Sequence, residues 1–154
     1  MALAGINEEN VLQENTTIRS IDATYAVHKI IGTGRFSCVY NATEVGTGNP
    51  VVIKASNDSD SSRRLDRKLY LKELDFLNKL NSSQLRARYV QLRDTVMLKS
   101  GMLCFVMERL STTLQAVLRN IGPLPMCMCR PIVRQIAQGT CTTLIPGNNI
   151  LCKM

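Results

Sequence analysis

Two glycines, one lysine and one glutamate are the residues of this sequence whose types and spacing could do chemistry. Gly32 and Gly34 stand one residue apart, so backbone N–H groups there could approach a polyphosphate without side chains in the way. Lys54 lies in an apolar run, and Glu73 lies on the apolar side of a helical pattern. Each charge would be costly to bury alone, so we expect the two side chains to pair.

Each of these residues also has a plainer explanation. Gly32 and Gly34 could form an ordinary turn, because the residues after Gly34 favour a strand and the helix that a dinucleotide-binding loop requires is absent. Lys54 could extend along a strand edge to reach water, and Glu73 could lie at the margin of its helix. The pairing hypothesis therefore depends on the elements that carry these residues.

The elements around these residues are predicted from periodicity and turn signals. Five strand-like runs cover 25–31, 35–42, 51–55, 88–96 and 102–107, and the first two flank the glycines as a hairpin. The strongest helical period covers 65–81, where apolar residues share one side with Glu73. Two further helices are expected over 112–120, capped by Ser111, and over 131–138.

Composition narrows the classes of protein that this chain could be. A length of 154 residues with 45% hydrophobic residues fits one folded domain. The sequence has neither a membrane-length apolar run nor a secretory start, so we expect no membrane association, an intracellular location and reduced cysteines. The formal charge of +7 is scattered and lacks interleaved aromatic residues, so we expect no nucleic-acid site. The six cysteines have no paired spacing, so we expect no metal site.

Three motifs occur in a recognisable order: Ile31-Gly-x-Gly-x-Phe-Ser-x-Val39, Val51-Val-Ile-Lys54 and Leu71-Lys-Glu-Leu74. In order and spacing they resemble the N-lobe of a eukaryotic protein kinase. Together with 103–111, the last motif is similar to the branch that contains dual-specificity tyrosine-regulated, homeodomain-interacting and pre-mRNA-splicing kinases.

The resemblance implies an α+β fold. It would have a five-stranded antiparallel sheet with one major helix, followed by a fragment of the helical C-lobe. The implied domains are a flexible lead-in over 1–22, a kinase-like N-lobe and hinge over 23–110, and a truncated start of the C-lobe over 111–154.

The resemblance also implies an ATP site and assigns roles to its residues. Gly32 and Gly34 would approach the phosphates, Lys54 would bind them, and Glu73 would hold Lys54. Val39 and Val52 would cover the adenine ring, and Met107 would be the gatekeeper. At the hinge, the Glu108 carbonyl and the Leu110 N–H would bond the adenine edge. The expected nucleotide-binding residues are Ile31, Gly32, Gly34, Val39, Val52, Lys54, Glu73, Met107, Glu108 and Leu110.

The end of the sequence departs from the family pattern. Residues 143–151 resemble a damaged catalytic loop in which Thr143 replaces the proton-accepting aspartate, and no Asp-Phe-Gly follows. Magnesium would bind only if Asn148 or Asn149 served as its asparagine ligand. We therefore expect the ATP-binding portion of a serine/threonine kinase that is inactive as this polypeptide. The alternatives are a non-catalytic, pseudokinase-like binding module and a decayed gene product.

Two further expectations concern partners and location. The run Met126-Cys-Met-Cys129 would pack where the two lobes meet. If the C-lobe is incomplete, the apolar underside of the N-lobe could bind a protein partner. The location would be the nucleus or the cytoplasm, and the nucleus follows from the resemblance alone.

Overall fold

A computed structural model of the chain describes residues 12–34, 37–56, 63–82, 86 and 89–143, and for 63–67 and 140–143 it describes only the backbone. The chain divides into two compact units, Met1–Arg109 and Leu110–Met154. The strands described are β1 (Thr17–Arg19), β2 (Thr24–Thr33), β3 (Ser37–Glu44), β4 (Pro50–Ser56), β5 (Leu92–Met97) and β6 (Leu103–Glu108). The helices described are α1 (Arg63–Asn81), α2 (Leu114–Ile121) and α3 (Met126–Thr143).

The strands form a single antiparallel sheet in the order β1-β2-β3-β4-β6-β5. Consecutive strands pair in sequence except at α1, after which β4 pairs with β6 and not with β5. Two of the turns between paired strands contain glycines with left-handed backbone, Gly48 (φ 72°) and Gly101 (φ 88°). Glycine adopts this conformation without a steric penalty, which is why the turn signals in the sequence mark the strand ends. The expected α+β class is confirmed, with α1 as the major helix of the first unit.

Apolar side chains are buried on both faces of the sheet. On one face, Tyr40, Ile53 and Val106 are fully buried in neighbouring strands. On the other face, Phe105 packs against the apolar side of α1, including Tyr70. Side chains of successive strand residues point to opposite faces. Strand β6, which lies between β4 and β5, therefore has buried residues on both faces.

The sheet has one more strand than the sequence predicts. The extra strand, β1, pairs with β2, its Ile18 is 1% exposed, and Leu12 is 2% exposed in the same core. The expectation of a flexible lead-in over 1–22 is therefore wrong for 12–19. A three-residue edge strand is too short to show a period, and its few apolar side chains stand among polar ones.

The second unit contains α2 and α3, and both differ from the sequence prediction at their starts. The N-cap of α2 is Thr113, whose side chain accepts a hydrogen bond from the Ala116 N–H at 3.1 Å, so the expected cap at Ser111 is wrong. The third helix begins at Met126 and continues through Pro131 to Thr143. Proline is common in the first helical turn, and for this reason the sequence pattern placed the start of the helix at Pro131. None of the helices described is both long and apolar enough to cross a membrane.

Candidate functional site

The expected ion pair between Lys54 and Glu73 is present. The Lys54 Nζ lies 2.5 Å from the Glu73 Oε1, and the two side chains are 23% and 39% exposed. Lys54 comes from the central strand β4, and Glu73 comes from the side of α1 that packs towards the sheet. The pair therefore places an ammonium between α1 and the sheet.

The register of the strands brings most of the candidate residues to one face of the sheet. Gly32 is paired with Val39, Val39 with Lys54, and Lys54 with Phe105 on β6. Two residues before Lys54 on β4 is Val52, and it is paired with Met107, two residues after Phe105 on β6. Paired residues in adjacent strands point to the same face, as do residues two apart in one strand. We call the set Gly32, Val39, Val52, Lys54 and Met107 the candidate face.

The candidate face is only partly covered. Its five members are neither fully buried nor fully exposed, whereas Phe105 on the same side of the sheet is 0% exposed. Helix α1 covers the sheet at Phe105 through Tyr70. The candidate face therefore combines apolar side chains with one ammonium.

Strands β2 and β3 form the predicted hairpin, but β2 continues to Thr33, so Gly34 follows the strand while Gly32 does not lie in the turn. The Gly34 N–H donates to the Ser37 carbonyl at 2.8 Å, and Gly32 lies within β2. Gly32 has no left-handed backbone, and a Cβ added there would lie 3.9 Å from the Val39 Cβ. The fold itself would therefore accept alanine at position 32. The lack of a side chain at Gly32 therefore serves to leave space on the candidate face and is not required by the fold.

Of the three remaining expected residues, two lie in strands of the first unit and one lies in the second unit. Ile31 is half exposed beside Gly32 in β2. Glu108 ends β6, where its N–H donates to the Gln91 carbonyl at 3.0 Å and its Oε1 accepts from the Gln91 N–H at 2.9 Å. Leu110 begins the second unit and is 64% exposed. Binding of a base by Glu108 and Leu110 remains a prediction.

Tyr70 also contacts Lys54, which the sequence analysis did not anticipate. Its hydroxyl donates to the Lys54 carbonyl at 2.9 Å, and the Lys54 Nζ lies over its ring, 5.5 Å from the centroid. The same ring stacks on Phe105, with centroids 4.3 Å apart. Burial, together with the nearby Cys104, Glu73 and Cys38, raises the pKa of Tyr70 well above its usual value. The available signal was its spacing, because residues three apart share a helix face.

The expected remnant of a catalytic loop falls largely outside the described residues. Thr143 is the last residue of α3, and Asn148 and Asn149 lie outside the described ranges. Within those ranges there is no group of three or more His, Cys, Asp or Glu side chains that could hold a metal ion. The described part of the site thus contains a cation that can bind phosphates. It contains no cluster of acidic side chains that could hold a metal ion.

A separate groove of about 480 Å³ lies in the first unit and contains none of the expected site residues. In its lining, the Tyr25 hydroxyl donates to the Asp94 Oδ2 at 2.8 Å. Acidic and basic groups both line this groove, including Glu44 and Arg93. Its mixed charge indicates no particular ligand.

Comparisons with known proteins agree with this geometry. The protein kinase domain family matches residues 25–142. The serine/threonine-protein kinase prpf4B of Dictyostelium discoideum is 31% identical in an alignment over 102 residues that covers 64% of this chain. The matched region is 12% of that relative, so the chain spans a small part of its length. Because the family match covers most of the sequence, including α1 and every strand except β1 and the first residue of β2, the chain belongs to the protein kinase domain family.

Proposed function

We propose that the candidate face binds ATP and that this chain is the ATP-binding portion of a serine/threonine protein kinase. The observation that carries the proposal is the Lys54–Glu73 pair, placed on the same face as Gly32. A fixed ammonium and an unobstructed backbone are the two features that a polyphosphate needs. The half-buried Val39 and Val52 offer the apolar surface that an adenine ring needs.

Each residue of the proposed site has a separate task. Lys54 neutralises phosphate charge, and Glu73 keeps the ammonium directed at the phosphates instead of the solvent. Val39, Val52 and Met107 contact the base and exclude water from it. In this proposal the Glu108 carbonyl accepts a hydrogen bond from the base, and the Leu110 N–H donates one to it, with Ile31 beside the ribose and base.

The kinase branch is also part of the proposal. The similarity to prpf4B supports the serine/threonine class and the pre-mRNA-splicing type. The wider branch, with dual-specificity tyrosine-regulated and homeodomain-interacting kinases, is supported by Leu71-Lys-Glu-Leu74 and the run over 103–111. We also propose an intracellular location, in the nucleus or the cytoplasm, and only the nucleus is suggested by the resemblance.

A titration with ATP tests the proposed site. Lys54→Ala removes the ammonium, and loss of a charged hydrogen bond of about 1.5–3 kcal/mol weakens binding about 10- to 150-fold. Lys72→Ala is the matched control, because Lys72 is an exposed lysine of α1 away from the candidate face. Equal ATP affinity in the wild type and Lys54→Ala would overturn the proposal.

We further propose that the 154-residue polypeptide does not transfer phosphate. Thr143 stands where the family has the aspartate that takes the substrate proton, and a threonine hydroxyl is not a base near neutral pH. The metal-binding Asp-Phe-Gly is also absent from this sequence. Phosphate incorporation into a generic protein substrate should match that of Lys54→Ala. Incorporation above that background would contradict this part of the proposal.

A second candidate function is a non-catalytic binding module, favoured by the apolar side chains of the second unit. Leu114, Leu118 and Ile121 of α2 are 40–61% exposed and recur at helical spacing. An exposed apolar stripe of this kind is typical of a protein interface. If this module is the function, Leu118→Gln abolishes partner capture while ATP affinity stays the same. Unchanged capture by this variant would exclude α2 as the interface.

A further inference from the structure

Helix α1 holds Lys54 at two points one helical turn apart. One is the Glu73 carboxylate, and the other is the Tyr70 side chain. The Glu73 side chain is 39% exposed, so solvent competes for its carboxylate and the ion pair alone holds the ammonium weakly. Tyr70, in contrast, is 5% exposed.

The Tyr70 ring contacts both the Lys54 ammonium and the Phe105 ring of the sheet. It stacks on Phe105 at 4.3 Å, and Phe105 is the cross-strand partner of Lys54. The Lys54 Nζ lies over the same ring, 5.5 Å from its centroid. A cation is attracted to the face of an aromatic ring at this distance. Phe105 fixes the ring, and the ring in turn limits where the ammonium can lie.

The Tyr70 hydroxyl ties the same helix to the backbone of Lys54. It donates to the Lys54 carbonyl at 2.9 Å, and because burial raises its pKa above the ordinary value, it remains a donor in alkaline as well as neutral solution. This hydrogen bond places α1 relative to β4 without using the Glu73 carboxylate. Both the side chain and the backbone of Lys54 are thus in contact with one buried residue.

We infer that Tyr70 is a positioning residue for Lys54, holding the ammonium on the candidate face independently of Glu73. Its consequence for ligand binding rests on the proposed ATP site, whereas its effect on Lys54 itself can be measured without nucleotide. ATP affinity should fall about two- to fivefold when the ring is removed, which corresponds to one partly exposed cation–π contact.

The test follows the side-chain methylene signals of Lys54 by NMR in the full chain without nucleotide. The signals are identified by their disappearance in Lys54→Ala, and the ring current of Tyr70 displaces them from the position of a free lysine. Tyr70→Phe should keep this displacement, because the ring remains. Tyr70→Leu should remove most of it, leaving only the part that the Phe105 ring causes, and Lys54 signals displaced as far as in the wild type would overturn the inference.

Leu77→Ala is the matched control for a purely structural role. Leu77 is 7% exposed in the same cluster of α1 and the sheet, so its truncation weakens the same packing. Lys54 signals and ATP affinity should both stay at wild-type values in Leu77→Ala. A displacement lost equally in Leu77→Ala and Tyr70→Leu would show that general packing, and not Tyr70, positions Lys54.

Two results separate this inference from the proposed function. If the wild type binds no ATP, the ATP proposal fails, while the Lys54 signals still report whether Tyr70 positions the lysine. If Tyr70→Leu does not fold, Glu73→Gln serves instead, since the ring should keep the signals displaced when the carboxylate is neutralised. Signals of a free lysine in Glu73→Gln would contradict the inference.

Discussion

At Gly32, a substitution should affect folding stability and ligand binding in opposite directions. Its backbone has no left-handed conformation, and an added Cβ would meet ordinary packing distance to Val39. Gly32→Ala should therefore raise the free energy of unfolding by about 0.4–1 kcal/mol, because the unfolded chain loses freedom. The same methyl obstructs the approach of phosphates, so ATP affinity should fall about tenfold. Denaturant unfolding and ATP titration of one sample measure both, and unchanged affinity would contradict the proposed role of the hairpin.

Because of Tyr25, the stability of the first unit should depend on pH in the alkaline range. Burial, and then its hydrogen bond to Asp94, raises the pKa of Tyr25 above the ordinary value of 10.0. The unfolded chain loses this proton near pH 10 while the folded chain keeps it. The contribution is therefore fully present below pH 10, and above it falls by about 1.4 kcal/mol per pH unit.

Tyr25→Phe isolates this contribution, because phenylalanine has no proton to lose. The difference in unfolding free energy between the wild type and Tyr25→Phe should be constant from pH 8 to 9.5 and should shift against the wild type above pH 10. Denaturant unfolding at each pH measures the difference. A difference that stays constant up to pH 11 would contradict the raised pKa.

The sequence predicted the ion pair but not the aromatic contact beside it. A lone lysine in a strand and a lone glutamate in an apolar stripe each need a partner, so Lys54 and Glu73 could be paired on energetic grounds. Tyr70 carries no charge, and on the helix it counts as one more apolar residue. Its contact with Lys54 depends on the strand register that places Phe105 opposite Lys54. This register cannot be predicted from the periodicity of the helix.

At the scale of elements, α2 depends on its first turn, because none of its residues is fully buried. The Thr113 side chain accepts from the Ala116 N–H, which would otherwise lack a partner within the helix. Thr113→Ala should lower the stability of this helix by about 1 kcal/mol. Ser111→Ala is the control, because the sequence favoured that residue as the cap and the structure does not use it. Helicity by circular dichroism during thermal unfolding compares them, and equal losses would contradict the assignment of the cap.

The sequence predicts most accurately the elements whose apolar residues repeat with a clear period. Helix α1 begins two residues before the predicted start at 65 and ends at the predicted residue 81, because its apolar residues repeat over the whole length. Strand β1 has three residues and no period, so it was missed. Helix α3 begins earlier than expected, since its first turn consists of Met and Cys residues without a polar face and Pro131 suggested a later start.

At the scale of the whole molecule, the face proposed to bind ATP lies within the first unit. The candidate face is assembled from β2, β3, β4 and β6, and α1 supplies Glu73. The order of motifs predicted this assembly, because each motif falls on a separate element of one sheet or its helix. The net charge of +7 attracts ATP to any part of the surface, so binding has to be measured near 0.15 M salt, where the attraction of exposed lysines is largely screened.

The most direct test of the ATP site is to titrate the isotopically labelled chain with ATP and follow every backbone amide signal by NMR. Binding at the candidate face should shift the signals of Gly32, Val39, Val52, Lys54 and Met107, while those of Tyr25 and Asp94 in the separate groove stay in place. Shifts concentrated at Tyr25 and Asp94, or no shifts at millimolar ATP, would contradict the proposal that this face of the sheet binds the nucleotide.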